Sequence, residues 1–304
     1  MKKGIVLNIL GEATTYGPGS RSVILMKGCP LRCVWCNQVE ARSVVPQISF
    51  DKDKCFNCFT CLTACKSGAH SVNNDQHCFN HEKCRADGYC VKACPYDAVS
   101  IKGKAMSADE LMPTILEMSD TENSNRRNLT LSGGEPMQQF EFSKELLTLA
   151  RQNGFHTCLD TSGYSSQSNF KEIAPLVDLF LFDYKETNPQ RHLEFVGVKQ
   201  HLILANLKLL VEHKKSVVLR CPIVPGYNDH EEHFEGIARI ATQYDLPVTV
   251  LPYEKLDLHK IELYGIDTPM ADIAAEHATV EQWLYLLKDK GCTVLEENML
   301  PVKL

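Results

Sequence analysis

Residues 22–36 read SVILMKGCPLRCVWC, a short apolar run followed at once by three cysteines. The apolar part, Ser22–Met26, is typical of a strand that is buried on both faces of a sheet. Cys29, Cys33 and Cys36 have the spacing C-x3-C-x2-C, which lets three thiolates hold one iron–sulfur cluster from a single loop. Three ligands leave one iron without a protein ligand, and such an open position can bind a reactant directly. Structural zinc is the weaker interpretation, because it uses C-x2-C pairs and closes its coordination.

The same arrangement, a buried strand that leads straight into an unusual polar sequence, recurs along the chain. The other predicted strands are Asn128–Leu131, His156–Leu159, Leu179–Phe182, Ser216–Arg220 and Pro247–Leu251. The sequences after them include SGGEP at 132–136, DTSG at 160–163, DYK at 183–185, PIVPGYND at 222–229 and PYE at 252–254. Strands that alternate with helices predict a parallel sheet, and active sites lie at the carboxyl ends of such strands. We therefore predict an α/β fold, a partial (β/α)6 TIM-like barrel, with all six motifs facing one pocket.

Three of the intervening helices have recognisable ends. Ser107 and Glu110 form a predicted capping box before Leu111–Met118. Ser143 is predicted to open a helix that Gly154 stops, and Thr279 to open one that ends at Gly291.

Eleven of the 14 cysteines lie between Cys29 and Cys94. Beyond the first three, Cys55, Cys58, Cys61 and Cys65 have the spacing C-x2-C-x2-C-x3-C, which is that of bacterial ferredoxins. A disulfide framework is the poorer interpretation, because the sequence begins with no recognisable export signal. The isolated Cys158, Cys221 and Cys292 are predicted to be small buried apolar residues.

A second copy of the ferredoxin pattern lies 29 residues further on, where Cys84, Cys90 and Cys94 correspond to Cys55, Cys61 and Cys65. A repeat at a fixed offset indicates a pseudo-symmetric two-cluster unit. Crossed ligation assigns Cys55, Cys58, Cys61 and Cys94 to one cluster, and Cys65, Cys84 and Cys90 to the other. The repeat breaks at Asp87, which stands where Cys58 does.

The fourth ligand of the second cluster is therefore open: Asp87, Cys78 or none. A zinc site of His77, Cys78, His81 and Cys84 is an alternative, although it leaves Cys90 without a role.

The position of the two ferredoxin-like cysteine sets divides the chain into three parts. Residues 1–48 begin the barrel, residues 49–101 form an inserted ferredoxin-like domain, and residues 102–304 form the rest of the barrel. A net charge of −6 and no long basic run argue against nucleic acid as a partner. No apolar run approaches the ~20 residues that span a bilayer, so we predict no membrane association and a cytoplasmic location.

The motifs resemble those of the radical S-adenosylmethionine superfamily, and within it the chain resembles glycyl-radical enzyme activating enzymes that carry a ferredoxin-like insert. The resemblance covers nearly the whole chain, and short segments along the chain carry it. They are GPGSR at 17–21, MKGCPLRC at 26–33, SGGEP, DYK, FVGV at 195–198, LILANL at 202–207 and VPGYND at 224–229.

The resemblance implies three [4Fe–4S] clusters, one catalytic and two auxiliary, and S-adenosylmethionine as the cofactor. The catalytic cluster would lie on Cys29, Cys33 and Cys36, and the methionyl amino and carboxylate groups would chelate its fourth iron. Trp35, Cys36, Asn37, Gly133 and Gly134 would contact the cofactor, the two glycines by close approach of the backbone. Tyr184 belongs to the same motif as Asp183 and Lys185, and Lys185 would bind the methionyl carboxylate. Asp160 and Asp183 match positions that hold a monovalent cation in related activases.

The activity that this resemblance implies is reductive cleavage of S-adenosylmethionine to a 5′-deoxyadenosyl radical, which takes a hydrogen atom from a glycine of a partner glycyl-radical enzyme. The electron would come from a low-potential donor such as ferredoxin or flavodoxin. Two alternatives remain at this point: radical chemistry on a small molecule or another protein modification, and a ferredoxin-type electron carrier. The chain departs from the family's pattern at Thr15-Tyr16, at Asn37-Gln38 and at Glu254, where a histidine is usual. These departures leave the role of Glu254, the specific partner and the oligomeric state open.

Overall fold

The computed structural model describes residues 2–119, 127–265, 270 and 273–295. The strands in these residues are β1 (Lys3–Ala13), β2 (Arg21–Met26), β3 (Gln47–Phe50), β4 (His70–Asn73), β5 (Gln76–Phe79), β6 (Val99–Lys102), β7 (Lys104–Ser107), β8 (Asn128–Gly133), β9 (His156–Thr161), β10 (Leu179–Asp183), β11 (Ser216–Ile223) and β12 (Val248–Pro252). The helices are α1 (Thr60–Ala64), α2 (Tyr89–Ala93), α3 (Ala108–Ser119), α4 (Phe140–Gln152), α5 (Gln167–Ile173), α6 (Pro189–Val196), α7 (His201–Glu212), α8 (Glu231–Tyr244), α9 (Leu258–Glu262) and α10 (His277–Asp289). None of these helices has the length and apolar character that a bilayer crossing requires.

A mostly parallel sheet forms the centre of the molecule. Its strand order is β12-β11-β10-β9-β8-β2-β1-β7, and the six strands from β12 to β2 pair in parallel. These are the six predicted strands, each within a few residues of its predicted bounds. The antiparallel strands β1 and β7 extend the sheet beyond β2 and were not predicted.

The central strands are apolar because helices and loops cover them. Every residue of β2 is buried, and Phe180, Leu181 and Phe182 of β10 are fully buried. In α4 the buried residues Phe142, Leu146 and Ala150 recur every four positions, so one face of the helix packs on the sheet. This packing fixes where each strand ends and therefore where each polar motif begins.

One of the three helix-end predictions is confirmed in full. Ser107 and Glu110 form the capping box: the Ser107 N–H donates to Glu110 Oε2 at 2.7 Å, and the Glu110 N–H donates to Ser107 Oγ at 3.2 Å. The predicted starts at Ser143 and Thr279 are wrong, because both residues lie inside helices that begin at Phe140 and His277. Ser143 is buried and donates to the carbonyl of Pro136, so it ties α4 to the turn before it.

The inserted segment repeats its secondary structure with the offset seen in its cysteines. β3, α1 and β4 recur 29 residues later as β5, α2 and β6. β3 pairs with β6 and β4 pairs with β5, both antiparallel, in two small sheets separate from the central one. Phe50 lies opposite Val99 in the first pair, and their counterparts Phe79 and His70 lie opposite each other in the second. The segment therefore consists of two similar halves.

Candidate active site and cysteine clusters

The six strand-end motifs converge on one cavity of about 570 Å³, a volume typical of cofactor sites. Its walls come from the loops after β2, β8, β9, β10, β11 and β12, as the parallel order of these strands requires. The predicted residues that line it are Cys29, Cys33, Trp35, Cys36, Asn37, Gly133, Gly134, Asp160, Asp183 and Lys185.

Backbone contacts hold the three-cysteine loop at the mouth of β2. The N–H groups of Arg32 and Val34 donate to carbonyls of α6, and Arg42 donates to the carbonyl of Cys33 at 2.9 Å. All three cysteines are free thiols. Burial raises the pKa of Cys29 to about 12 and that of Cys33 to about 11. Burial therefore favours the neutral form of both thiols.

Two carboxylates and two cations face one another deep in the cavity. Lys185 Nζ lies 2.6 Å from Asp183 Oδ2, and Arg220 lies 2.9 Å from Asp160, which also accepts from Ser132 Oγ at 2.5 Å. Burial alone lowers the pKa of Lys185, but Asp183 and then Cys33 outweigh it and raise the pKa above its ordinary value. Lys185 is therefore a permanent cation beside the cysteine loop.

Glu135 of the SGGEP loop is a structural anchor rather than a reactant. It is fully buried and accepts from the N–H of Met137, from Thr161 Oγ1 and from both the N–H and Oγ of Ser162, at 2.5–3.0 Å. Burial raises its pKa, and the four donors oppose that rise. Glu135 thus joins the loop after β8 to the loop after β9.

The close packing of Gly133 against the end of β2 is a second reason for glycine in this loop, and it was not predicted. Gly133 has a φ of +103°, and a Cβ there would lie 2.4 Å from the Met26 nitrogen. Close packing against the end of β2, not only approach to a ligand, therefore demands glycine at this position.

The side chain of Tyr184 does not line the cavity, so its predicted cofactor contact needs correction. It is buried on the opposite side of the strand end, donates to Thr187 Oγ1 at 3.1 Å and stacks on His233. Side chains alternate along an extended strand, so Asp183 and Lys185 share one face and Tyr184 takes the other. Trp35 is also largely buried, against Phe195 and Tyr227, although it reaches the cavity wall.

Three residues contribute to the site although no individual role was predicted for any of them. Arg220 and Ser132 bind Asp160, and Glu135 bridges two loops. The position of Arg220 at the carboxyl end of β11 was the available signal, because a charged residue there must face the site.

The insert brings its cysteines together in the two sets given by the repeat. The pKa of Cys61 is raised to about 11, mainly by burial and in part by Cys55, Cys58 and Cys94. Burial likewise raises the pKa of Cys90 to about 11, with contributions from Cys84, Cys65 and Asp87. The four cysteines of the first set line one small cavity together with His77.

Asp87 lies beside Cys84 and Cys90, where the repeat places it. Its Oδ1 accepts from the N–H of Tyr89 at 3.2 Å, at the start of α2. Cys78 lies on β5 opposite Ser71, and its Sγ contacts the carbonyl of Gln76.

The alternative zinc set of His77, Cys78, His81 and Cys84 is not assembled. Neighbouring residues of a strand point to opposite faces, and His77 faces Cys55 and Cys61 instead. In the described part of the chain, the groups whose ligand atoms lie within 4.8 Å of one another are Cys61–His70–His77 and Asp51–Asp53–His259.

Comparisons with known proteins find one matching family and several relatives. The family described as the radical SAM superfamily matches residues 76–237. The choline trimethylamine-lyase activating enzyme of Oleidesulfovibrio alaskensis is 32% identical over 88% of this chain and 89% of its own length. The indoleacetate decarboxylase activating enzyme of Tractidigestivibacter scatoligenes is 33% identical, over 86% and 87%. The 4-hydroxyphenylacetate decarboxylase activating enzyme of Clostridioides difficile is 31% identical over 97% of both.

Among solved structures, Streptococcus suis SuiB bound to S-adenosylmethionine matches with a TM-score of 0.51 and 13% identity, over 64% of this chain and 44% of that one. At this identity the likeness concerns the fold alone.

Proposed function

The chain belongs to the radical S-adenosylmethionine superfamily, as an activating enzyme of glycyl-radical enzymes, and we propose that Cys29, Cys33 and Cys36 hold its catalytic [4Fe–4S] cluster. The observation that carries the proposal is the convergence of six strand-end motifs on the cavity beside these cysteines. An electron carrier would need none of those motifs, and family membership identifies the chain as an enzyme.

The residues at the mouth of the cavity fit such a cluster. They supply three free thiols on one loop, with Cys33 buried and Cys29 and Cys36 partly buried at the cavity wall. Their sulfurs are not among the groups spaced for a single ion, whereas a cubane cluster needs ligands set further apart. When bound, the cluster and S-adenosylmethionine together supply one-electron cleavage of the sulfonium and hydrogen abstraction from a glycine of the partner.

The chain's own residues would hold and orient the cofactor. Lys185 offers a fixed positive charge to a carboxylate, with Asp183 setting its direction. Asn228 is fully buried and donates to the carbonyls of Lys185 and Pro222 at 2.7 and 2.8 Å, which keeps the end of β10 in place. Gly133 and Gly134 expose backbone at the cavity wall, and Trp35 and Leu31 help to exclude water.

Asp160 and Asp183 remain the residues that we propose for a monovalent cation. They lie close enough for Asp183 to raise the pKa of Asp160, although burial is the larger cause and Arg220 opposes it. Arg220 and Lys185 already balance the two negative charges. Any cation would therefore need an additional negative ligand, such as the cofactor's carboxylate.

For residues 49–101 we propose a ferredoxin-like domain with two further [4Fe–4S] clusters, which brings the total to three. The 29-residue structural repeat, the two cysteine sets and the cavity lined by Cys55, Cys58, Cys61 and Cys94 support this proposal. The second cluster would use Cys65, Cys84 and Cys90, with Asp87 as the nearest candidate for its fourth ligand. Such a domain would accept electrons from a low-potential donor such as ferredoxin or flavodoxin.

We propose the partner only as a class, namely a glycyl-radical enzyme in the same compartment. That compartment is proposed to be the cytoplasm, because the chain has many cysteines and all of them are free thiols. The relatives activate lyases and decarboxylases by name, so their names do not select one substrate for this chain. Glu254 lies exposed on the cavity wall, where a partner's glycine loop would pass.

The deciding experiment pairs the anaerobically reconstituted protein with glycyl-radical enzymes encoded beside it. Electron paramagnetic resonance should detect a glycine-centred radical on the partner only when S-adenosylmethionine and reductant are present. The Cys33→Ala variant is the matched control. Cofactor cleavage without a radical on any such partner would favour chemistry on a small molecule instead.

A further inference from the structure

Two buried histidines in the insert form a contact that neither cysteine set requires. His70 lies on β4 and His77 on β5, and both side chains are nearly inaccessible to solvent. His70 Nδ1 lies 2.7 Å from His77 Nε2, so one of these two nitrogens must carry a proton that it shares with the other.

The pair stands between the two cysteine sets. His77 Nδ1 lies 3.6 Å from Cys55 Sγ, and His77 Nε2 lies 3.5 Å from Cys61 Sγ. At the other end, the backbone of His70 hydrogen-bonds to the sulfur of Cys65, which belongs to the second set. The His77 ring thus faces the first set, and the backbone of His70 lies beside the second.

The internal repeat provides a built-in comparison. The counterparts of His77 and His70 in the other half are Ile48 and Val99, both buried and both apolar. Ile48 approaches Cys84 as His77 approaches Cys55, but it brings only its backbone to the sulfur. The two histidines are therefore a chemical difference between two halves that have the same secondary structure.

The positions of the protons follow from what faces each nitrogen. If both rings carry the proton on Nδ1, His70 donates to His77 Nε2 and His77 donates to Cys55 Sγ. The opposite arrangement points a lone pair of His77 at the Cys55 sulfur and leaves the N–H of His70 Nε2 without an acceptor, because that buried atom has no hydrogen-bond partner. An orphaned buried donor is the costlier state, so the first arrangement is favoured.

We propose that His70 and His77 form a two-step hydrogen-bond relay that ends on the sulfur of Cys55, and that it makes the Cys55 centre the more easily reduced of the two. The inference rests on the proposed function, because it requires a cluster on Cys55, Cys58, Cys61 and Cys94. Reduction adds negative charge to the cluster sulfurs, and an N–H donor stabilises that charge, which raises the reduction potential. A donor that is itself polarised by a second histidine strengthens the effect. The Cys84 centre has Ile48 at the equivalent position, which offers no side-chain donor to Cys84. One hydroxyl lies on a cysteine of each set, Thr60 on Cys58 at 3.4 Å and Ser67 on Cys65 at 3.3 Å, so the histidine remains the difference between them.

The experiment is a redox titration of the reconstituted full-length protein, followed by electron paramagnetic resonance. The signal that is lost in Cys58→Ala identifies the Cys55 centre. His77→Ile, which copies the counterpart residue, should lower the potential of that centre and change its electron-sharing equilibrium with the Cys84 centre about tenfold, equivalent to ~59 mV for one electron. His77→Gln keeps an N–H donor and should therefore retain most of the reduction potential that His77→Ile loses. His81→Phe is the control, because the His81 ring packs edge-on against Phe79, whereas the ring that contacts Cys55 is that of His77.

A measurement on the unaltered protein makes the inference independent of variant folding. Electron–nuclear double resonance in H₂O and D₂O should show an exchangeable proton coupled to the Cys55 centre. An unchanged potential in His77→Ile, with both insert clusters present, would overturn the relay, as would the absence of that proton. Iron confined to the catalytic loop, with zinc bound at Cys61, His70 and His77, would instead overturn the proposed cluster itself.

Discussion

Gly134 and Gly28 are packed so closely that a Cβ on Gly134 would lie 2.4 Å from the carbonyl oxygen of Gly28. Two backbone hydrogen bonds accompany this contact: the Gly134 N–H donates to the carbonyl of Met26 at 2.9 Å, and the Glu135 N–H donates to that of Gly28 at 2.8 Å. The SGGEP loop is therefore a direct support of the cysteine loop, which begins one residue after Gly28.

Gly134→Ala should displace the start of the cysteine loop, because the added methyl group meets backbone that has no rotamer to change. We expect a loss of about 1–3 kcal/mol in unfolding free energy and poor assembly of the catalytic cluster. Iron content and denaturant unfolding measure the two effects. Gly154→Ala is the control: its φ of +76° should lower the unfolding free energy through backbone strain, but a Cβ there meets nothing within 4 Å, so iron content should stay unchanged.

Lys185→Ala should weaken binding of S-adenosylmethionine without changing cluster content. The expected loss is about 1.5–3 kcal/mol, since a charged hydrogen bond disappears and Asp183 is left without its cation. Equilibrium binding of the cofactor to the reconstituted protein tests this. Lys208→Ala, an exposed lysine paired with Glu212, should have no effect. An unchanged dissociation constant for Lys185→Ala would show that its charge faces no ligand.

Cys33→Ala should abolish cofactor cleavage and lower iron content by about four of the twelve atoms that three cubane clusters hold. The two remaining thiolates cannot fix a cluster beside Lys185, whereas the insert clusters have separate ligands. Iron analysis and detection of 5′-deoxyadenosine check both parts. Substantial 5′-deoxyadenosine from this variant would contradict the assignment of the catalytic loop.

The sheet was predictable wherever burial on both faces leaves a short apolar run followed by a polar motif. β2 and β8–β12 all have that form, so their parallel arrangement and the convergence of their motifs on one cavity followed from the sequence. β1 and β7 did not, because their exposed and buried residues are mixed instead of forming a continuous buried run. The helix starts predicted at Ser143 and Thr279 were wrong because a residue type favoured at caps also occurs inside helices: the Ser143 hydroxyl donates to the carbonyl of Pro136, and Thr279 lies half-buried in the first turn of α10.

Within the site, residue types were more predictable than partners. Asp183 and Lys185 could be assigned because the motif itself pairs them. The bond of Glu135 to Ser162 joins the ends of the neighbouring strands β8 and β9, and that of Arg220 to Asp160 crosses β10 from β11 to β9, so only the strand order brings those residues together. The contact of His70 with His77 likewise depends on the β4–β5 hairpin, which the cysteine spacing does not indicate.

Asp87 sets apart the cluster that Cys65, Cys84 and Cys90 are proposed to hold. A carboxylate is a harder ligand than a thiolate and suits cluster iron less well. This centre should therefore lose one iron on mild oxidation and give a three-iron signal in electron paramagnetic resonance, while the Cys55 centre stays intact.

Asp87→Cys restores the repeat and should make the Cys84 centre as resistant to oxidation as its neighbour, because the carboxylate already lies beside Cys84 and Cys90. Cys78→Ala is the matched control and should leave the centre unchanged, since Cys78 lies on β5 against the carbonyl of Gln76. If Asp87→Cys changes nothing and Cys78→Ala destroys the cluster, Cys78 is the fourth ligand.

Loss of the Cys84 centre should slow reduction of the catalytic cluster by a protein donor but permit turnover with dithionite, because a small reductant can reach the catalytic cluster through its own open cavity. Turnover that disappears with dithionite as well, while the catalytic cluster persists, would rule out a pure relay role for the centre.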